Sequence, residues 1–239
     1  MGFLNFYKNQ QFLVKPYSIF INPFYIIRKG LYDGLRPKAL LLSGKLLDFG
    51  CGSKPYLQLF KNVSEYIGLD MENEGHSHKR EQIDVYYDGK IIPFENEHFD
   101  SIFSSEVFEH IFDLEPILVE LNRVLKKDGR ILISVPFAWN EHEIPVDFGR
   151  YTSFGLEHVM KKAGFEVIES KKAGHFASVI AQYTSLYVYE LTRTKNKFLN
   201  LFISIILINP ITIIGLILSS LMPRNRTLYF NNILLARKI

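Results

Sequence analysis

Three observations predict an α/β fold in which a mostly parallel sheet is covered by helices on both faces. From Lys45 onward short apolar runs alternate with helical patterns, as repeated βα units require. The first run ends in a turn with two glycines, Gly50 and Gly52. The second ends in an acid, Asp70, 20 residues after Gly50. In sheets of this kind ligands bind beyond the carboxyl ends of the strands, so function is sought just after each strand.

The elements follow in order. Residues 1–40 are aromatic and basic, with Phe3, Phe6, Tyr7, Phe12, Tyr17, Phe20, Phe24 and Tyr25, and Pro16 and Pro23 interrupt any long helix. This stretch reads as an irregular arm or short helices. Strands are expected at Leu46-Leu47-Asp48-Phe49, Tyr66-Ile67-Gly68-Leu69-Asp70, Ile83-Asp84-Val85-Tyr86-Tyr87 and Ser101-Ile102-Phe103-Ser104. A helix is expected over 114–127, with Leu114, Ile117, Leu118, Leu121 and Leu125 at helical spacing and a Lys126-Lys127-Asp128-Gly129 stop. A fifth strand follows over 130–135, and a helix over 153–163 closes on Gly164.

The chain has 239 residues, 47% hydrophobic and 22% charged, which is globular composition for one domain with an appendage. A single cysteine, Cys51, excludes a disulfide framework and a cysteine-cluster zinc site. Lys8 and Lys15 interrupt any apolar leader, so no signal peptide is expected. The net charge of +3 is segregated: residues 1–47 carry +6, residues 48–192 carry −10, and residues 193–239 carry +7 with no acid. Basic ends of this kind suit an anionic surface, lipid or nucleic acid.

By itself Gly50-Cys51-Gly52 makes a tight turn that backbone or ligand can approach closely. Pro55 stands where a dinucleotide fingerprint has its third glycine, and Ser53 suits a helix cap. Asp70 at the end of the second strand adds a carboxylate able to take both hydroxyls of a ribose. Together these favour a cofactor containing adenosine.

The motifs Asp48-x-Gly50-x-Gly52, Asp70, Asp88-Gly89-Lys90-Ile91-Ile92-Pro93-Phe94 and Phe99-Asp100-Ser101-Ile102-Phe103-Ser104-Ser105-Glu106 occur in this order. With Leu125-Lys126-Lys127-Asp128-Gly129-Arg130, Arg150-Tyr151-Thr152 and Ala163-Gly164-Phe165, the chain over about 40–170 resembles class I S-adenosylmethionine-dependent methyltransferases. The resemblance implies a Rossmann-like methyltransferase fold with a seven-stranded sheet. It implies that Gly50 and Gly52 pass under the methionyl part of the cofactor, that Asp70 holds the ribose, and that Asp88 lies beside the adenine. Asp48 would help anchor the ammonium group, and Cys51, Met71, Gly89 and Ser105 would complete the cofactor-binding set. Cys51 is expected to pack beside the cofactor without reacting.

Glu106, Glu109 and His110 would share one face if their loop enters a helix, a donor set for a divalent metal. The pattern is similar to that of ubiquinone-pathway and small-RNA 2′-O-methyltransferases, where a metal orients a hydroxyl. The alternative is that Glu109 and His110 only brace the cofactor pocket. The segment Trp139 to Tyr151 after the fifth strand is rich in polar groups, and His142 is its best general base. Asp147 and Arg150 either pin that loop or meet the substrate. The catalytic candidates are therefore His142, Glu109 and His110.

Phe198 to Pro223 is a run of 26 uncharged residues. Asn209-Pro210 divides it, and Lys195 and Lys197 before it and Arg224 and Arg226 after it are basic. The segment Asn232 to Lys238 resembles the last strand of the methyltransferase sheet, which makes the apolar run an insertion. The expectation is a monotopic hairpin or interfacial helix pair dipping into the inner leaflet, with Phe176 to Tyr189 extending the surface. Four regions result: an arm over 1–40, the cofactor-binding core over 41–175, the apolar insertion over 176–228, and the returning strand over 229–239. The expected protein is a bacterial, cytoplasmic, membrane-associated enzyme that methylates an oxygen of a lipid-linked, glycan or isoprenoid small molecule. An RNA methyltransferase and a catalytically silent scaffold are the rival readings. Nucleic acid is the less expected partner, because the basic residues adjoin aliphatic runs rather than an RNA-binding module.

Overall fold

The apolar runs become seven strands in a single sheet. The computed structural model describes residues 12–71 and 82–239, so Phe3, Phe6, Tyr7 and Lys8 of the arm lie outside the described residues. The strands are β1 (Gly44–Phe49), β2 (Val63–Met71), β3 (Val85–Tyr87), β4 (Phe99–Ser105), β5 (Leu125–Pro136), β6 (Phe165–Ala173) and β7 (Asn231–Lys238), ordered β3-β2-β1-β4-β5-β7-β6. The first five are parallel to one another, and β7 runs antiparallel to β5 with Ile133 opposite Leu234. The order reverses at β1, which lies between β2 and β4. That is the switch point at which a crevice opens beyond the strand ends.

The chain divides into two units, Gly34–Lys171 with Asn231–Ile239, and Met1–Asp33 with Lys172–Phe230. The first contains nearly all of the sheet and the cofactor motifs, with a core in which Leu47, Ile102, Leu118, Ile131 and Leu234 are fully or almost fully buried. Helix α1 (Tyr25–Ala39) is longer than the proline-rich arm suggests, because Pro23 precedes it and Pro37 falls near its end. Helix α2 (Leu114–Val124) buries Leu114, Ile117, Leu118 and Leu121 as the spacing predicts. It ends before the expected Lys-Lys-Asp-Gly stop. Leu125 turns to extended geometry and pairs with Phe99 of β4, so ladder hydrogen bonds claim residues whose local propensity favours a helix end. Helix α3 (Ser153–Lys162) is capped by the Thr152 hydroxyl, which accepts from Gly155 N at 3.1 Å.

In the second unit, helix α4 (Phe176–Thr192) packs beside α6 (Asn209–Leu221), which continues α5 (Lys197–Ile203) through a π-helical turn at Ser204–Ile208. The hairpin expected at Asn209-Pro210 is absent: residues Phe198–Leu221 form one helix of 24 residues, with a mean hydropathy of 2.6 over an 18-residue stretch of it. The proline ring removes a donor and crowds the carbonyl four residues earlier, and a widened turn just before it absorbs both effects. Ser185 and Thr212 share a buried hydrogen bond of 3.0 Å across the pair. Gly215 brings the helices close, since a Cβ there would lie 2.5 Å from that of Ala181. Buried Gln182 accepts from Ile26 N and Ile27 N, at 3.1 and 3.3 Å, satisfying two donors at the start of α1.

Candidate active site

A cavity of about 680 Å³, within the size range of small-molecule sites, opens beyond β1, β2 and β4. Gly50, Gly52, Asp70, Met71 and Gly89 line it, together with Glu106 and His110. The turn after β1 is shaped by two left-handed glycines, with φ of +71° at Gly50 and +45° at Gly52. Gly52 N donates to Asp70 Oδ2 at 2.7 Å, so the acid at the end of β2 sets the turn as well as facing the cavity. A Cβ on Gly52 would meet no atom within 4 Å, which leaves room for a ligand against the backbone. These residues fit the adenosine-containing cofactor the sequence implies.

The other expected cofactor residues stand behind this wall. Asp48 is buried and accepts from the Tyr66 hydroxyl. Cys51 is buried, and burial with the nearby Asp48 charge pushes its thiol far above the ordinary range. Asp88 is exposed and accepts from Lys90 N and Ile91 N, which holds the turn that presents Gly89. Ser105 shares a hydrogen bond of 2.8 Å with Ser134. Tyr87, Asp113, Glu143 and Phe148 also line the cavity and carry no motif that singles them out. Among the described residues its charged walls hold four acids, Asp70, Glu106, Asp113 and Glu143, against one lysine, Lys90, a balance that suits a cationic sulfonium.

Burial raises the Asp48 carboxyl to about 7, opposed by the Tyr66 hydrogen bond and assisted by the Asp70 charge. An acid whose folded pKa exceeds its unfolded one binds a proton on folding, so its contribution falls as pH rises from about 4 to about 7. Asp48→Asn keeps an oxygen for Tyr66 and removes the charge. Its thermal midpoint should match the parent at pH 4 and exceed it by on the order of 5 °C at pH 8. Melting curves with a constant offset between pH 4 and 8 would contradict this.

Beyond β4 the expected helix face does not form. Glu106 has φ of +58°, and Phe108–His110 is a single 3₁₀ turn. Glu106 accepts from the Ser134 hydroxyl at 2.7 Å and the Asn231 amide at 2.6 Å, which turns it away from the partnership with Glu109 and His110 expected of a metal site. His142 takes that place. Glu109, His110 and His142 each offer a donor atom within 4.8 Å of the others. Glu109 Oε1 lies 3.8 Å from His110 Nε2 and 3.9 Å from His142 Nε2. The two residues are 33 positions apart in the chain, and backbone bonds bring them together: Phe148 N and Gly149 N both donate to the Glu109 carbonyl, at 2.8 and 3.2 Å.

The surroundings fix how the three side chains act. Glu109 is fully buried, with no hydrogen-bond partner on either carboxylate oxygen among the described residues, and burial followed by the Glu106 charge holds its pKa well above normal. His110 Nδ1 lies 2.8 Å from the Val146 carbonyl, which only accepts, so Nδ1 carries a proton and Nε2 faces Glu109 and Glu143, at 3.8 and 3.5 Å. His142 Nδ1 lies 3.2 Å from Asp147 Oδ2 without hydrogen-bond alignment, and burial lowers its pKa, keeping the ring neutral at pH 7. Arg150 grips both oxygens of Asp147, at 2.5 and 2.7 Å, and holds that carboxyl far below its usual range. Of the two roles open to this pair, the structure shows pinning.

A strand order of this kind, with a glycine turn at the switch point and an acid after β2, defines a Rossmann-like methyltransferase fold. The chain belongs to the family of methyltransferase domains, whose model matches residues 27–170, and is a class I S-adenosylmethionine-dependent methyltransferase. Solved structures agree on the fold. The [4+2]-cyclase SpnF is 19% identical with a TM-score of 0.55, over 87% of this chain and 81% of its own. An S-adenosylmethionine-dependent methyltransferase from Mesorhizobium loti is 14% identical with a TM-score of 0.53, over 87% and 98%. Phosphoethanolamine N-methyltransferase 2 of Haemonchus contortus, solved with S-adenosyl-L-methionine, is 18% identical with a TM-score of 0.55, over 92% of this chain and 55% of its own. No curated protein matches the sequence.

Proposed function

We propose that the chain methylates an oxygen of a lipid-linked, glycan or isoprenoid acceptor at the surface of a membrane. The observation that carries this reading is the unbroken helix Phe198–Leu221, whose end residues Phe198 and Leu221 are 85% and 77% exposed. At about 1.5 Å per residue it is about 36 Å long, enough to cross the hydrocarbon core. Basic residues stand at both ends, Lys195 and Lys197 before it and Arg224 and Arg226 after it. A crossing helix would leave one basic pair on the far side, whereas a helix lying in the plane keeps both pairs among anionic headgroups. The inner face of the cytoplasmic membrane of a bacterium is the surface this arrangement suits.

The cofactor supplies an electrophilic methyl group on a positive sulfur. The protein's task is to align the acceptor and manage its proton. In this reading the neutral His142 ring, which stands beside His110 but outside the lining of the cofactor cavity and has Nε2 3.9 Å from Glu109 Oε1, accepts the hydroxyl proton of an acceptor bound at the cluster. The same three donors fit a divalent cation: a buried carboxylate without partners and two imidazole nitrogens, one of them fixed by the Val146 carbonyl. A cation held by Glu109, His110 and His142 would lower the pKa of a hydroxyl bound to it.

The test is to incubate the protein with methyl-labelled cofactor and bacterial membranes, then extract with organic solvent. Label is expected in the lipid fraction, and the protein is expected to co-sediment with vesicles containing phosphatidylglycerol. Label confined to RNA, or no vesicle binding at low salt, would overturn the reading.

A further inference from the structure

Between α4 and α6 lies a second cavity of about 460 Å³ that plays no part in the methyl-transfer site. Its walls include Phe176, Ile180, Ile211, Ile214, Leu218 and Met222. The polar side chains in the lining, Thr184 and Ser219, are tied to carbonyls of their own helices, Ile180 at 2.9 Å and Leu216 at 3.0 Å, so the surface offered to an occupant is almost wholly apolar. The floor is where Gly215 meets Ala181. From Phe176 to Thr184 the groove runs along nine residues of α4, about 12 Å, which suits a chain rather than a compact ligand.

One end of this groove is cationic. Phe176 N donates to the Asn225 carbonyl at 2.8 Å, which places the turn containing Arg224 and Arg226 at the groove's mouth. Both arginines are exposed, and their charges add to burial in lowering the pKa of His175, the residue that precedes α4. Lys172 reaches the Arg226 carbonyl at 3.4 Å from the same side. No carboxylate pairs with Arg224 or Arg226 among the described residues. Residues 172–230 contain six Lys or Arg and a single acid, Glu190. An apolar slot closed at one end by unneutralised guanidinium groups is complementary to a ligand with a hydrocarbon tail and an anionic head.

We infer that the groove between α4 and α6 binds one acyl chain of an anionic phospholipid, with the lipid phosphate at Arg224 and Arg226. The site rests on the membrane reading above and deepens it. One bilayer lipid, drawn partly out of its leaflet, would anchor the insertion by shape as well as by charge.

The experiment is native mass spectrometry of the full chain released from detergent micelles that contain equal amounts of phosphatidylglycerol and phosphatidylcholine. One phosphatidylglycerol is expected per chain, retained at least fivefold over phosphatidylcholine. Thr184→Trp and Ala177→Trp fill the groove from its two ends and should each cut retention at least fivefold. The doubly charge-reversed Arg224→Glu/Arg226→Glu should bring the ratio of the two lipids to about one. Binding of S-adenosylhomocysteine should be unchanged in all three variants, which reports that they fold. Absence of retained lipid, equal retention of both lipids by the parent chain, full retention by both tryptophan variants, or a lipid-free dimer would overturn the site. The micelle measurement needs no bilayer: lost retention with intact vesicle binding refutes the groove alone, and retained lipid without vesicle binding refutes the in-plane helix alone.

Discussion

Gly52→Leu should abolish cofactor binding while leaving the protein folded, and Gly50→Ala should do the reverse damage by destabilising it. The two glycines are one residue apart in the same turn, yet their surroundings are opposite. At Gly52 an added side chain enters open cavity, so the fold bears only the cost of a left-handed backbone, about 1–2 kcal/mol. Affinity for S-adenosylhomocysteine in calorimetric titration should fall at least about 100-fold, because the side chain occupies the cofactor's place. At Gly50 a Cβ would lie 2.4 Å from Val107 Cγ2, adding overpacking to the same backbone strain. The combined cost is about 2–5 kcal/mol, a melting temperature lower by on the order of 10 °C. Unchanged titration of Gly52→Leu would move the cofactor out of this cavity.

The second large effect concerns the three side chains beyond β4. Glu109→Gln and His142→Ala should each lower kcat by roughly 10²- to 10⁴-fold, the usual span for a proton-transfer group, with S-adenosylhomocysteine affinity within about twofold of the parent. If a cation sits there, a chelator silences the parent enzyme and Mn²⁺ restores it. Calorimetry should then show Mn²⁺ binding to the parent and none to Glu109→Gln. Chelator-resistant activity would remove the cation and leave His142 as the base. Normal turnover by both variants would dismiss the cluster altogether.

Much of the fold could be read from local pattern. Strands β1, β2 and β4 are short apolar runs bounded by glycine or acid, and the spacing of Gly50 and Asp70 reflects two parallel neighbouring strands. These are joined not by the helix that Ser53 and Pro55 suggest but by turns and a single 3₁₀ turn at Leu57–Leu59, too short a link for a full helix. The misreadings have a common cause, since each concerns a choice made by distant partners. Leu125 has helical spacing but joins the sheet because Phe99 is there to pair with it. Pro210 would end an isolated helix, and a π turn lets it pass. Glu106 is in register with Glu109 only on an ideal helix, and Ser134 and Asn231 claim its carboxylate instead. His142 was visible as a base but not as Glu109's neighbour, because two backbone hydrogen bonds bring them together and no side-chain pattern records those.

Those two bonds also make the cluster a property of the main chain. Glu109 and His110 sit on one turn, whereas His142 sits on the loop fastened to the Glu109 carbonyl by Phe148 N and Gly149 N and held by the Asp147–Arg150 pair. A substitution that released this fastening would separate His142 from Glu109 and His110 while leaving all three side chains in the sequence. Replacing Asp147 or Arg150 therefore tests the cluster as directly as replacing one of its donors.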